Sequence, residues 1–303
     1  MAARIRVGTC SWADKTLIDS GWYPPGVRTP EERLRYYAEQ FPIVEVDSSY
    51  YALPPERNAA LWAERTPPSF TFDVKAYGLF THHPAQVRSL PKELREALPP
   101  ALQTKPNFYL RDAPADLVDE AWRRFNRALL PLDSAGKLGV VLFQFPPWFM
   151  PGARSRDYII EAKARLGQYR MAVEFRNSLW LSDPDRQERT LRFLADEAIP
   201  YVCVDEPQGF KSSVPPIVAA TAPLGIMRLH GRNAMVWEQK GLGAADRFDY
   251  LYSEDELHDL APRALRLAEI TEETHVLFNN CHGDYAVRNA RRIGEILGLR
   301  DGP

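Results

Sequence analysis

The chain has 303 residues, 45% of them hydrophobic and 26% charged; 38 Lys plus Arg against 40 Asp plus Glu give a net charge of −2. That composition excludes a disordered chain, a collagen and a disulfide-stapled miniature. So balanced a surface disfavours duplex DNA or an anionic membrane as partner. At roughly 150 residues per domain, the length fits two domains or one large α/β barrel.

The opening Met-Ala-Ala-Arg-Ile-Arg-Val-Gly has no long apolar stretch of the kind a secretory signal needs. Nowhere does the sequence approach the ~18 consecutive apolar residues of a membrane span. Three cysteines (Cys10, Cys203, Cys281), odd in number and without a CxxC pair, suit a reducing compartment. The expectation is a soluble, cytoplasmic protein with no membrane partner.

Short β-rich runs recur along the chain: Arg4–Cys10, Ile43–Asp47, Phe70–Ala76, Leu138–Phe145, Met171–Arg176, Tyr201–Asp205, Gly225–His230 and His275–Asn280. Between them lie helix signals. Thr29-Pro30-Glu31-Glu32 combines a cap, a first-turn proline and a capping-box glutamate, and Asp183-Pro184 opens a helix in the same way. Ser253-x-x-Glu256 opens another, and Asp284 to Leu297 reads as a last helix stopped by Gly298. Strands alternating with helices imply a parallel sheet. Eight of them predict a single (β/α)8 TIM-like barrel over residues 1–303, with an enlarged connection between the third and fourth strands. The connection between the sixth and seventh, Glu206 to Leu224, is too rich in proline for a long helix. The 26 prolines, many in pairs, act as stops between barrel units rather than as linkers.

One parity of each strand is apolar: Val44 and Val46, Phe72 and Val74, Val141 and Phe143, Val173 and Phe175, Val202 and Val204, Met227 and Leu229, Val276 and Phe278. The other is polar: Glu45 and Asp47, Asp73 and Lys75, Gln144, Glu174 and Arg176, Asp205, Arg228 and His230, Asn279. If the apolar set packs beneath helices, the polar set points into the barrel, clustered at the strand C-termini where barrel enzymes build active sites. Asp73, a step deeper, fits a self-neutralising structural network better than a site.

These residues belong to a longer series of motifs: Gly8-Thr9-x-Ser11-Trp12, Trp22-Tyr23-Pro24, Val44-Glu45-Val46-Asp47-Ser48-Ser49-Tyr50-Tyr51, Phe72-x-Val74-Lys75 and Leu142-Phe143-Gln144-Phe145-Pro146-Pro147. Val173-Glu174-Phe175-Arg176, Arg228-Leu229-His230-Gly231-Arg232, Tyr252-Ser253-x-x-Glu256-Leu257 and Phe278-Asn279-Asn280 continue it. Nearly end to end, the series resembles the YecE-like proteins, domain of unknown function 72. The resemblance implies a TIM-like barrel and carries no established reaction.

Two carboxylates in unlike environments can divide acid and base roles. Glu174 and Asp205 are the expected pair, with Glu45, Asp47 and His230 as further catalytic residues. Hydrolysis or isomerisation of a sugar-like or nucleotide-like compound fits such a set. No cofactor is predicted; an oxygen-rich Mg²⁺ or Mn²⁺ site on the same carboxylates is possible, although no ligand spacing of a known metal motif is present. Lys75, Arg176, Arg228 and Arg232, with the Asn280–Asp284 loop before the last helix, point to an anionic small molecule. Gln144, Asn279 and Asn280 add hydrogen-bonding groups, and Trp12, Tyr50 and Trp237 are rings that can stack on a ligand, Trp237 in a loop suited to a lid. His82-His83 reads as exposed or locally hydrogen-bonded, and Cys10 and Cys281 as small-residue packing at the seam of the first and last strands. The competing function is a non-catalytic ligand- or nucleic-acid-binding module, for which Arg123-Arg124 and Arg291-Arg292 would supply paired basic residues; on helices, both read as solvated faces.

Overall fold

The structure, a computed structural model, describes residues 4–239 and 241–299. Residues 1–3, part of the segment read above for a leader, lie outside the described residues. Strands run β1 (Arg4–Thr9), β2 (Ile43–Val46), β3 (Thr71–Lys75), β4 (Ala85–Gln86), β5 (Asn107–Phe108), β6 (Leu138–Phe145), β7 (Met171–Phe175), β8 (Val202–Asp205), β9 (Leu224–Leu229) and β10 (Glu273–Phe278). Eight form one sheet in the order β7-β6-β3-β2-β1-β10-β9-β8, every pair parallel. A single bridge, Val173 to Tyr201, with Val173 N donating to Pro200 O (2.9 Å), brings the last edge strands together. With helices between the strands, this is the expected (β/α)8 TIM-like barrel, closed least firmly between β7 and β8.

The helix starts follow their sequence signals. Thr29 caps Pro30–Gln40 and Ser253 caps Glu254–Glu269, each with a reciprocal capping box, and Asp183 caps Pro184–Asp196. Each such cap satisfies amides that the first turn leaves unpaired. Gly298, at φ +67°, follows the last helix, Tyr285–Ile296. The β3–β6 connection holds the antiparallel pair β4–β5 and the helix Ala115–Ser134. No helix lies between Asp205 and Leu224. No helix among the described residues is long and apolar enough to cross a membrane.

The core is the layer between barrel and helices. Phe80 stacks on Trp122 (3.9 Å), Phe145 on Phe149 (4.0 Å) and Phe175 on Trp180 (4.2 Å). Each such pair is worth about 0.5–1.5 kcal/mol beyond the area it buries. Trp12 belongs here as well: it meets Trp62 and Phe72 edge-on (5.6 and 6.3 Å), so it is a core ring rather than a ligand-binding one.

Register decides which side chains enter the barrel, because paired residues of parallel strands share a face. Glu45 pairs with Asp73, and Gln144 with Glu174, as the parity argument requires. Strand β8 departs from it. Val204 pairs with Arg228, and Asp205 with Leu229. Arg228 points inward, so Val202 and Val204 do too, while Asp205 faces the helices. A barrel interior has room for small branched residues, so apolar character alone misassigned this strand.

At the barrel's N-terminal end the interior is closed by a polar plug. His275 Nδ1 lies 2.8 Å from Asp73 Oδ2, Val140 N donates to Asp73 Oδ1 (3.1 Å), and Arg6 Nε donates to Glu273 Oε1 (2.5 Å). Burial opposes a charge on His275, but Asp73 and Glu273 outweigh it and raise its pKa to about 9. Asp73 thus has the structural role its depth suggested. Gly139 makes room for it: a Cβ there would stand 2.1 Å from Asp73 Oδ1.

Candidate functional site

At the other end, the strand C-termini carry a charged ring. Its centre is Arg228, fully buried. Nε and Nη2 donate to Glu45 Oε2 and Oε1 (2.9 and 2.6 Å), Nη1 donates to Glu174 Oε2 (2.6 Å), and Nη2 also reaches Cys10 Sγ (3.5 Å). The planar fork of arginine suits this bridging of two carboxylates. Glu174 Oε1 accepts from Gln144 Nε2 (2.6 Å) and lies 3.1 Å from His230 Nε2 and 3.5 Å from Arg176 Nη1. Asn279 Nδ2 lies 2.9 Å from His230 Nδ1. With that amide donating, the imidazole carries its proton on Nε2 and donates a hydrogen bond to Glu174.

One cation between two buried carboxyls splits their titration. Burial resists ionisation of Glu174, but Arg228, His230 and Arg176 overcome it and hold its pKa well below the usual value. Burial lifts Glu45 to about 8, with Asp47 adding to the rise and Arg228 opposing it. Burial takes His230 down to about 4 against the pull of Glu174, so the ring is neutral at pH 7.

Around this sealed centre stand side chains that solvent reaches. Asp47 and Lys75 pair at 3.5 Å, with side chains 27% and 13% exposed. Lys75 lies over the Tyr50 ring (4.9 Å), and Tyr50 in turn meets His83 (5.2 Å). Burial works against the charge on Lys75, yet Asp47 and Glu45 raise its pKa, so the ammonium is retained. Arg176, also 13% exposed, lies 3.4 Å from Glu206 Oε2 and under the Trp237 ring, 4.4 Å from its centroid. Trp237 and Phe248, from the segment after β9, roof His230 at 6.3 and 5.9 Å.

The matches to known proteins run along almost the whole chain. The family model described as "Protein of unknown function DUF72" covers residues 6–302. The chain belongs to the DUF72 family. It is 33% identical over 300 residues to the UPF0759 protein YunF of Bacillus subtilis (strain 168), covering 97% of this chain and 95% of that one. Among solved structures, it resembles a DUF72 family protein of Enterococcus faecalis V583 at TM-score 0.79 and 28% identity, covering 98% of this chain and 96% of that one. A DUF72 family protein of Thermotoga maritima MSB8 matches at TM-score 0.74 and 30% identity, covering 97% and 99%. These DUF72 and UPF0759 names record no reaction, so the chemistry rests on this chain's own geometry.

The DUF72 barrel brings together Glu45, Asp47, Lys75, Gln144, Glu174, Arg176, Arg228, His230, Asn279, Tyr50 and Trp237 of the residues singled out in the sequence. It separates four. Asp205 accepts from Arg232 Nε and Nη2 (both 2.8 Å) and from Tyr252 OH (2.9 Å), with Arg263 of the helix Glu254–Glu269 at 3.5 Å. It does not converge with Glu174, because the two occupy opposite faces of the barrel wall. Arg232 is spent on that cluster and on Glu256 (3.1 Å). Asn280 ties Tyr250 O and Asn289 together (2.8 and 2.9 Å), and Trp12 lies in the core. In the loop before the last helix, Gly283 N donates to Thr16 Oγ1 (2.9 Å), so that amide is not free for an anion.

Glu206 is the site residue the sequence reading missed. It takes the inward position assigned to its neighbour Asp205; following Val202 and Val204 inward by twos would have found it. His83, read as a local loop residue, bonds Thr81 Oγ1 (2.9 Å) as expected, and also stands in the mouth beside Tyr50. Among the described residues, no group of three or more His, Cys, Asp and Glu is arranged to hold a metal ion. Of the residues named for a Mg²⁺ or Mn²⁺ site, Glu45 accepts from Arg228 with both oxygens, and Asp205 faces away from the other carboxylates.

Proposed function

We propose that the C-terminal mouth of this DUF72 barrel is the active site of an enzyme, a hydrolase or isomerase, that performs acid/base chemistry on a small polar anionic substrate. One observation carries the reading: the charged groups of the ring that solvent reaches are Asp47, Lys75 and Arg176, while Glu45, Glu174 and Arg228 behind them are sealed and mutually satisfied. In this reading the sealed groups are scaffold and the reachable ones act. Asp47 is the base, and the Lys75 ammonium stabilises the negative charge that develops when a proton leaves the substrate or water adds to it. Arg176 holds the substrate's own charge. Glu174, expected from the sequence as an acid/base group, becomes the anion that fixes Arg228, His230 and Arg176.

Sugar-like and nucleotide-like compounds are the substrate class, since the rings of Tyr50 and His83 flank the Asp47–Lys75 pair. The basic pairs that a nucleic-acid-binding module would use have other partners: Arg124 meets Glu120 and Glu93, and Arg292 meets Glu254 and Glu295. Screening sugar phosphates and nucleotides for thermal stabilisation and turnover tests the proposal. A compound that is turned over by the wild type should be turned over at least about 100-fold more slowly by D47N, with circular dichroism checking that the variant keeps its fold. Turnover unaffected by D47N and by Lys75→Met would overturn it.

A further inference from the structure

Three buried polar atoms, on residues that touch Arg176 or adjoin one that does, make no hydrogen bond among the described residues: Glu206 Oε2, Ser213 Oγ and Trp237 Nε1. Buried polar groups are nearly always paired, so several orphans in one neighbourhood mark a place where a partner is missing. Their residues are 2%, 4% and 2% exposed. Two of the three residues, Glu206 and Trp237, touch one guanidinium, and Ser213 adjoins a third contact of it in the chain. Glu206 Oε2 lies 3.4 Å from Arg176 Nε, the Trp237 ring lies over it, and Ser212, next to Ser213, accepts from Nε at 3.4 Å. That is the only hydrogen bond Arg176 makes among the described residues; its η nitrogens make none, although Nη1 stays ion-paired with Glu174 Oε1 at 3.5 Å.

The orphans share a chemical sense. Indole N–H is a donor only, and a serine hydroxyl can donate. Glu206 joins them when protonated: burial and Glu174 raise its pKa to about 8 against the pull of Arg176, and its other oxygen already accepts from Val214 N (2.7 Å). A guanidinium with three further donors is complementary to an acceptor-rich anion. The neighbouring strand–helix connection holds this roof in place, since Glu238 Oε1 accepts from Ser212 N and Oγ (3.2 and 2.7 Å).

We propose that Arg176, Ser213, Trp237 and Glu206 form a subsite for a tetrahedral oxyanion, the phosphate ester group of the substrate. This rests on the reading of the mouth as an active site and adds where the substrate's charge is held: on the β7–β8 side under Trp237, away from the Asp47–Lys75 pair. Because Trp237 stacks on Arg176, arrival of the anion disturbs that ring and its fluorescence reports binding.

Inorganic sulfate is the probe, since it does not titrate between pH 6.5 and 9. Wild-type tryptophan emission should change saturably with sulfate, and the change should be absent from W237F. R176M should abolish binding measured by calorimetry; if that variant fails to fold, R176K, which keeps charge and loses the fork, should weaken it at least tenfold. S213A should weaken it about fivefold, the equivalent of one lost hydrogen bond. Wild-type affinity should fall as pH rises through about 8, whereas E206Q, which cannot ionise there, should show a clearly smaller fall, the remainder belonging to Glu45, which titrates in the same range. Acetate binding as tightly as sulfate would overturn the tetrahedral assignment. No sulfate binding, or binding lost in K75M and kept in R176M, would overturn the subsite. Either result would remove Arg176 as the holder of the substrate's charge but leave the roles of Asp47 and Lys75, whose test is turnover by D47N and K75M.

Discussion

Replacing Arg228 by Met isolates the electrostatic logic of the ring. The guanidinium donates to three carboxylate oxygens, two on Glu45 and one on Glu174, at 2.6–2.9 Å, and all three side chains are fully buried. Deleting one partner of such a cluster leaves uncompensated charge and costs about 3–5 kcal/mol. Glu45 is already protonated near neutrality, so Glu174 bears most of the penalty. Without Arg228, Glu174 loses its main counter-charge and its pKa rises. The variant's folded state therefore takes up a proton over a pH range where its unfolded state does not, so the deficit grows as pH rises. Urea unfolding at pH 5.5 and pH 8 measures this. R228M should lose about 3–5 kcal/mol at pH 8 and clearly less at pH 5.5. Adding Glu45→Gln and Glu174→Gln should recover most of the loss, since neutral amides need no cation. A deficit below about 1 kcal/mol, or one independent of pH, would refute the claim that Arg228 holds two buried carboxyls of opposite protonation.

Other consequences are separable from this one. His275 titrates near pH 9 in the folded chain against about 6.5 unfolded, so the stability it contributes is complete below about pH 6.5 and is lost as pH rises through about 9. His275→Asn should flatten that part of the wild-type stability–pH curve. Gly139→Ala places a Cβ against Asp73 Oδ1 and should cost about 1–3 kcal/mol by thermal or urea unfolding, without altering ligand binding at the other end of the barrel. Asp205→Asn breaks the bidentate pair with Arg232 and should lower the melting temperature while leaving turnover of any substrate within about twofold. If Asp205→Asn abolished turnover in a folded protein, the separation of Asp205 from the site would be wrong.

What the sequence made legible follows from its physics. All eight barrel strands were visible because each is a short apolar run between stops, and three helix starts because Thr29, Asp183 and Ser253 carry their caps in the local sequence. The inward ring was legible wherever polar and apolar residues alternate cleanly, as at Glu45 and Asp47 or at Glu174 and Arg176. It failed at β8, where Val202 and Val204 line the interior and Asp205 faces Arg263 on the helix Glu254–Glu269 and Tyr252 in the segment just before it. The facing partners of a residue decide that assignment, and they lie elsewhere in the chain. The same limit applies to Arg228 and Arg232, both marked for an anion on the basis of charge. Two carboxylates consume the first and Asp205 the second, and neither pairing is written in the local sequence. A groove of about 710 Å³ at the barrel's other end, lined by Arg4, Glu39, Arg291 and Glu295 among others, was equally invisible. Arg291 there already donates to Gln40, and among the described residues none that lines the groove carries an orphaned buried polar atom.

The most direct test of the central claim is a crystal structure of the protein with the compound that the turnover screen identifies. The account predicts that compound at the strand C-termini, its reacting carbon within reach of Asp47 and Lys75 and its anionic group on Arg176. Finding it in the groove beside Arg4 and Arg291, or on the Asp205–Arg232 face of the barrel wall, would contradict it.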